Sequence, residues 1–251
     1  MLAVERQRLI LESITRDRRG LVSELSLRYG VSDETIRRDL QKLERDGLVA
    51  RTHGGAVPAA EPEDLPYPTR QTTNIAQKRR IAGLAAGLVG DGDAVMIDSS
   101  STAFELLAPL AHCKGLTIIT NSVRIIASPA CKPHSVISVG GELRQQSLTL
   151  CGPVALDSIA RFSADLAFIS CKALSPDTGI MVPNLADAEV KRAFIANARR
   201  VCLLADGSKF GQTALTGLCG LDRIDILVTD RRPPDAWFPL AERHGVRLIH
   251  G

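Results

Sequence analysis

The chain has 251 residues, 45% of them apolar, and a net charge of +3. That length suits one large domain or two unequal ones, and that composition excludes wholesale disorder. No apolar run approaches a membrane span, the opening MLAVERQRLILES carries charges inside its apolar stretch and so does not read as a signal peptide, and so small a bulk charge leaves any nucleic-acid contact to local placement of charge. A soluble cytoplasmic protein without a membrane partner is expected.

The first helical pattern is VERQRLILESITRD, with Leu9, Ile10 and Ile14 on one face. The second runs from Val22 to Tyr29, with Ser23 the expected N-cap. Gly30 then breaks the chain and Val31 can plug a core. Ser32 is the expected cap of a third helix, from Asp33 to about Asp46, with Thr35 three residues on. Ile36, Leu40 and Leu43 form its buried stripe. Glu34, Thr35, Arg37, Arg38, Gln41 and Lys42 are left facing outward. Leu48 to Arg51 reads as a strand and His53-Gly54-Gly55 as a tight turn, together a wing that brings Arg51 and His53 near a sugar-phosphate backbone.

Helix, short turn and helix is the geometry that places a recognition helix in the major groove. Arginine suits the task because its planar fork pairs with guanine or clamps a phosphate. The competing reading is a three-helix interaction module whose arginines are merely solvated, with Glu34, Asp39 and Glu44 as their partners.

PAAEPEDLPYPT, residues 58–69, holds four prolines and three acids and is expected to be a semi-rigid linker hostile to helix and sheet. It divides a DNA-binding domain, 1–57, from a second domain, 70–251. In the second, helical patterns alternate with VMIDS, LTIIT, SVISVG, LAFIS, VCLLAD, DILVTD and VRLI. Such alternation predicts βαβ units and a largely parallel sheet. The six cysteines, Cys113, Cys131, Cys151, Cys171, Cys202 and Cys219, form no CxxC pair and read as small buried apolar residues.

Ligands of such sheets gather beyond the carboxyl ends of the strands. The first strand runs into Asp98, Ser99, Ser100, Ser101 and Thr102, just before the helical pattern AFELLAPLA. Hydroxyls, free amides and a helix dipole together suit a phosphate. Ordinary capping is the alternative, though it needs one serine only. Lys172, Lys191 and Lys209 are the candidate countercharges, each also readable as a solvated surface group. Asp98 can bind sugar hydroxyls or cap its own loop. Glu189 and Lys191 also read as an exposed charged face, and Asn121 as a ligand contact or the closure of a turn.

GVSDETIRRDLQKLERDGLVARTHGGA resembles the winged helix-turn-helix of the DeoR family of bacterial regulators of sugar metabolism. The resemblance implies that Ser32, Thr35, Arg37, Arg38 and Lys42 lie at the DNA face and that Arg51, His53 and Gly54 lie in the wing. GDAVMIDSSSTAFEL, TIITNSVRI, SVGGELR, GPVALDSI, AEVKRAFI and LLADGSKFG likewise resemble the effector domain of that family, a Rossmann-like α/β fold similar to ribose-5-phosphate isomerase. This implies a phosphorylated sugar effector held by residues 98–102, with Asn121, Gly141, Lys191, Asp206 and Lys209 around the same crevice. SCKAL, residues 170–174, departs from the small, glycine-containing turn of many members, so Cys171 and Lys172 alter the pocket.

Two functions follow. The first is a regulator, more often a repressor than an activator in this family, which binds a double-stranded operator as a homodimer or homotetramer. It has no catalytic residue, metal or cofactor. The second is a sugar-phosphate isomerase with a DNA-binding head, for which Asp98, Asp206 and a lysine would be the working groups.

Overall fold

The computed structural model describes residues 3–17, 19–46, 48–52, 54–58 and 67–251. The chain divides into two compact units, Met1–Asp64 and Leu65–Gly251.

The first unit contains α1 (Ala3–Asp17), β1 (Gly20–Leu21), α2 (Val22–Tyr29), α3 (Asp33–Arg45), β2 (Val49–Thr52) and β3 (Gly55–Pro58). Its core is one cluster in which Ile10 and Ile14 of α1 meet Val22 and Leu25 of α2, Ile36, Leu40 and Leu43 of α3, and Val49 of β2. The helical stripes therefore bury as their spacing predicts. Gly30 ends α2 in the left-handed region at φ 64°, which a side chain would resist. Ser32 caps α3, its hydroxyl accepting from the Thr35 amide at 3.3 Å.

Ser23 does not cap α2 but lies inside its first turn; Leu21 occupies the cap position, and no side chain bonds there. The Val22 amide donates instead to the Gly54 carbonyl at 2.9 Å. The wing thus supplies what a cap would. Its strands form a sheet in the order β1-β3-β2. A Cβ on Gly55 would stand 2.0 Å from the Gly20 carbonyl oxygen, so only glycine lets β1 and β3 approach.

The linker expectation is corrected at both ends. Pro58 belongs to β3, and Tyr67 to Thr69 open a helix, α4 (Tyr67–Thr72). Pro68 sits in the first turn of α4, where the missing amide proton costs nothing. Residues 59–66 lie outside the described residues.

The second unit continues with α5 (Ile75–Ala86), β4 (Ala94–Ile97), α6 (Ser101–Phe104), α7 (Leu107–Leu110), β5 (Thr117–Thr120), α8 (Val123–Ile126), β6 (Ser135–Ser138), β7 (Glu142–Arg144), β8 (Thr149–Cys151), α9 (Pro153–Ile159) and β9 (Ala164–Ser170). There follow β10 (Ala173–Ser175), β11 (Gly179–Val182), α10 (Leu185–Ala196), β12 (Ala198–Leu204), β13 (Thr216–Cys219), β14 (Ile226–Thr229), α11 (Trp237–His244) and β15 (Arg247–His250). Seven strands form one parallel sheet, in the order β15-β14-β12-β9-β4-β5-β6. All seven apolar runs of the sequence become its strands.

Alternate residues of each strand enter two cores. Val95 and Ile97 pack with Ile81 and Ala85 of α5, while Met96 packs with Ile159 of α9 and Phe194 of α10. Both faces are covered, which is why the strands read as continuous apolar runs. Progress along the chain carries β4, β5 and β6 to one side and β9, β12, β14 and β15 to the other. The strand order therefore reverses between β4 and β9. In open α/β sheets a crevice forms at that reversal.

All six cysteines are free, and four are buried. Burial pushes the Cys171 thiol up to about 12, which leaves it unreactive.

The head is also held by Asp39. It is 4% exposed, accepts from Arg6 Nε at 2.6 Å and from Gln7 Nε2 at 2.8 Å, and so fastens α3 to α1. Removing one partner of a buried ion pair costs about 3 kcal/mol or more. Asp39→Ala is therefore expected to destabilise the head by about that much, read by urea unfolding of the full chain; a loss under about 1 kcal/mol would contradict this placement.

Candidate nucleic-acid interface and effector crevice

The outward face of α3 carries Glu34, Arg37, Arg38, Gln41 and Lys42, all exposed, and Thr35, half-buried. Glu34 pairs with both arginines, at 3.3 Å to Arg38 and 3.9 Å to Arg37. With the Arg38 side chain 77% exposed, such pairs contribute little. An incoming phosphate or guanine edge can replace Glu34 at small cost. Asp39 is not one of these partners, because α1 claims it. Arg51 turns back from the wing: its Nη1 donates to the Arg37 carbonyl at 3.3 Å, and its amide donates to Glu44 at 3.3 Å. Gly54 is exposed at the wing turn, and His53 lies outside the described residues.

The loop after β4 lies at the strand-order reversal. Asp98 is 1% exposed. Its Oδ1 accepts from the Ser100 amide at 2.9 Å, and its Oδ2 accepts from the Ser170 amide at 2.8 Å and from Lys191. It thus closes its own loop and joins β4 to β9 by side chain. Ser100 caps α6, accepting from the Ala103 amide at 3.1 Å. Ser99 Oγ accepts from Thr149 Oγ1 at 2.9 Å, which ties the loop to the β7–β8 hairpin. Ser101 and Thr102 are buried as residues, and among the described residues no hydrogen bond engages their hydroxyls.

Lys191 is 3% exposed, so the reading of an exposed charged face fails for it; Glu189, two residues earlier, is exposed as that reading expects. Lys191 pairs with Asp98 and, at 3.7 Å, with Asp187. Desolvation opposes its charge, but Asp187 and Asp98 outweigh that and hold its pKa above the ordinary lysine value.

Asp98, Cys171 and Asp206 follow the neighbouring strands β4, β9 and β12, so three strand exits lie side by side. Lys172 follows Cys171, half-buried, its amide donating to the Met181 carbonyl. Asp206 Oδ1 accepts from the Ser208 amide at 2.9 Å; Oδ2 has no hydrogen-bond partner and faces Lys209 at 4.0 Å. Asn121 exchanges hydrogen bonds with Leu150 of the hairpin, through Nδ2 at 3.3 Å and its carbonyl at 2.8 Å, and its Oδ1 is buried without a partner. Buried orphan acceptors of this kind suit the hydroxyls of a ligand or ordered water. Gly141 stands at the hairpin base with φ 99°, where a Cβ would meet the Cys151 carbonyl oxygen at 2.4 Å.

Sequence reasoning missed Lys78 and Arg70. Lys78, on α5, is 5% exposed and donates to the carbonyls of Arg70 and of Thr73, the latter at 2.7 Å. Burial, reinforced by the charge of Lys209, lowers its pKa from 10.5 to about 8. The acidic side chain of Asp206 opposes that shift. Arg70 is half-buried on α4. Their only sequence signal is two cations eight residues apart in a polar stretch.

A helix-turn-helix head with a wing, joined to an α/β domain with a charged crevice at its strand-order reversal, defines a ligand-responsive transcriptional regulator. Residues 6–61 match the DeoR-like helix-turn-helix domain and residues 73–231 the DeoR C terminal sensor domain. An uncharacterised HTH-type transcriptional regulator of Bacillus subtilis, YulB, is 37% identical over 92% of this chain and 90% of its own. The glycerol-3-phosphate regulon repressor of Escherichia coli is 29% identical over 99% of both. Ribose-5-phosphate isomerase A from Methanocaldococcus jannaschii aligns over 55% of each chain, at 16% identity and a TM-score of 0.40. The chain belongs to the DeoR family of HTH-type transcriptional regulators.

A folded-state pKa below the unfolded one means that the unfolded chain binds more protons between about 8 and 10.5, so stability rises with pH across that window. Because the buried thiols titrate alike in both proteins, the effect is read as a difference: the stability of wild type relative to Lys78→Met is expected to rise with pH, in unfolding midpoints of the two measured side by side from pH 7 to 10.5. Identical profiles for the two would contradict the burial of a charged Lys78.

Proposed function

We propose that the protein represses a carbohydrate-catabolic operon and that a phosphorylated sugar in the crevice controls its hold on DNA. The observation that carries this is the set of polar groups that the strand exits gather at the order reversal. It combines unengaged hydroxyls at Ser101 and Thr102, orphan acceptors at Asn121 and Asp206, and lysines at 172, 191 and 209, on the same chain as a DNA-reading head.

On this reading Ser32, Thr35, Arg37, Arg38 and Lys42 meet the operator, with Arg51, His53 and Gly54 alongside. The Ser99 to Thr102 loop, Lys172 and Lys209 hold the phosphate. Asp98 and Lys191 fix that loop, and Asn121 and Asp206 accept from sugar hydroxyls, with Gly141 shaping the wall. Two-fold symmetric operators ask for a homodimer or homotetramer, in the cytoplasm with the DNA. On this reading the protein is a regulator and not an isomerase: the oxygens of Asp98 are taken up by Ser100, Ser170 and Lys191, and Asp206 serves to accept from sugar hydroxyls.

The test is an anisotropy titration of DNA from upstream of the neighbouring operon, at fixed salt, with fructose 6-phosphate, ribose 5-phosphate and glycerol 3-phosphate. One ester is expected to shift operator affinity by about fivefold or more. Specific DNA binding indifferent to every phosphate ester would reject the sensor reading, and ketose–aldose interconversion would restore the enzyme.

Two substitutions separate the parts. Arg38→Ala is expected to weaken the operator complex about tenfold or more and to leave ester binding unchanged. Aspartate caps a helix as well as serine does, so Ser100→Asp keeps the fold of the loop while its charge repels a phosphate. Its operator complex is expected to ignore the ester. A normal response would reduce the loop to a helix cap.

A further inference from the structure

The element that follows the linker is itself fastened to both sides of the crevice. At its start, Tyr67 is fully buried, and its amide donates to the Gln146 carbonyl at 3.3 Å, on the hairpin side. The Arg124 guanidinium, on α8, lies 5.2 Å from the Tyr67 ring centroid and 5.7 Å from that of Phe104 on α6. It also donates to Gln71 Oε1 at 3.1 Å. Arg70 stacks on the same tyrosine at 5.4 Å. Past its end, Asn74 Nδ2 reaches Asp206 Oδ1 and Ser208 Oγ, both at 3.4 Å, on the β12 side. Between these anchors, Lys78 holds the carbonyls of Arg70 and Thr73.

Two features show that these fastenings are not those of an ordinary packed helix. Asn74 holds a left-handed backbone, φ 53° and ψ 37°, a strained region for a residue with a side chain. The Tyr67 hydroxyl and Asp206 Oδ2, one at each end, are both buried without a hydrogen-bond partner. Aromatic–guanidinium stacking and single hydrogen bonds of this kind are individually weak and can be exchanged.

We infer that α4 is a strap across the crevice and that its fastening by Arg124 and Gln71 is the link through which crevice occupancy reaches the linker. A ligand entering between the Ser99 to Thr102 loop and the Asp206 to Lys209 loop changes what the strap's two ends can bond. The strap then resets as a unit, and its N-terminal end continues directly into the linker. This inference rests on the sensor reading above. Arg124 acts as a positioning residue, through Tyr67 and Gln71, and not by touching the ligand.

The experiment uses the full chain, a labelled operator fragment and the same three esters, with ester binding followed separately by calorimetry. Arg124→Ala is expected to bind operator and ester within about threefold of wild type, while the ester's effect on operator affinity falls below about twofold. Gln71→Ala, which removes one hydrogen bond from a half-buried side chain, is expected to show the same split more weakly and serves if Arg124→Ala does not fold. A full ester response in both variants would overturn the inference, and so would loss of ester binding itself. A wild type that ignores every ester would defeat the sensor reading instead.

Discussion

The sensor domain is organised around a buried ion pair at the point where its strand order reverses. Asp98 follows β4, Ser170 ends β9, and Lys191 comes from α10, 93 residues along the chain from Asp98. One carboxylate thus fixes two neighbouring strands, the loop between β4 and α6, and a covering helix. Charges so buried are costly unless paired and fully hydrogen-bonded. Here three donors meet the carboxylate, and Asp187 supplies a second acid to the ammonium. The serines beyond Asp98 inherit their positions from that arrangement. A crevice whose walls are held this way can present hydroxyls and amides to a ligand without first ordering them.

The head follows a parallel logic with different parts. Asp39 turns away from the outward face of α3 to hold α1, and among the described residues the side chains of Arg37 and Arg38 pair with Glu34 alone. The wing stabilises the recognition unit twice, through the Gly54 carbonyl at the start of α2 and through Arg51 on the Arg37 carbonyl. Rigidity below the surface and weak pairing on it are what a reader of a charged polymer needs, because base and phosphate contacts must outbid the resident ones.

Much of this was legible in the sequence because it is local. The spacing of Ile36, Leu40 and Leu43 is a property of one helix, and Ser32 with Thr35 is a property of one turn. The apolar runs became strands because burial on both faces leaves no alternation to confuse. What failed is what depends on distant partners. Ser23 is the right residue type for a cap, yet Gly54, more than thirty residues on, does the work. Lys191 fits an exposed helical face by pattern alone, and only the fold turns it toward Asp98. Lys78 and Arg70 carry no motif, and Tyr67 and Pro68 were absorbed into a proline-rich stretch whose last part is helical. The loop after β4 stands out in the sequence as four hydroxyl residues after a strand. The division of labour within it, with Ser100 as the cap and Ser99 tied to Thr149, depends on a hairpin some fifty residues away.

If the crevice and the head are two sites of one coupled system, thermodynamics requires their effects to be reciprocal. The most direct measurement is therefore the affinity of the active ester for the free protein and for the protein saturated with operator, by calorimetry at one salt concentration. The two affinities should differ by the same factor by which that ester changes operator affinity. Equal affinities, alongside an operator complex that responds to the ester, would contradict a single coupled equilibrium.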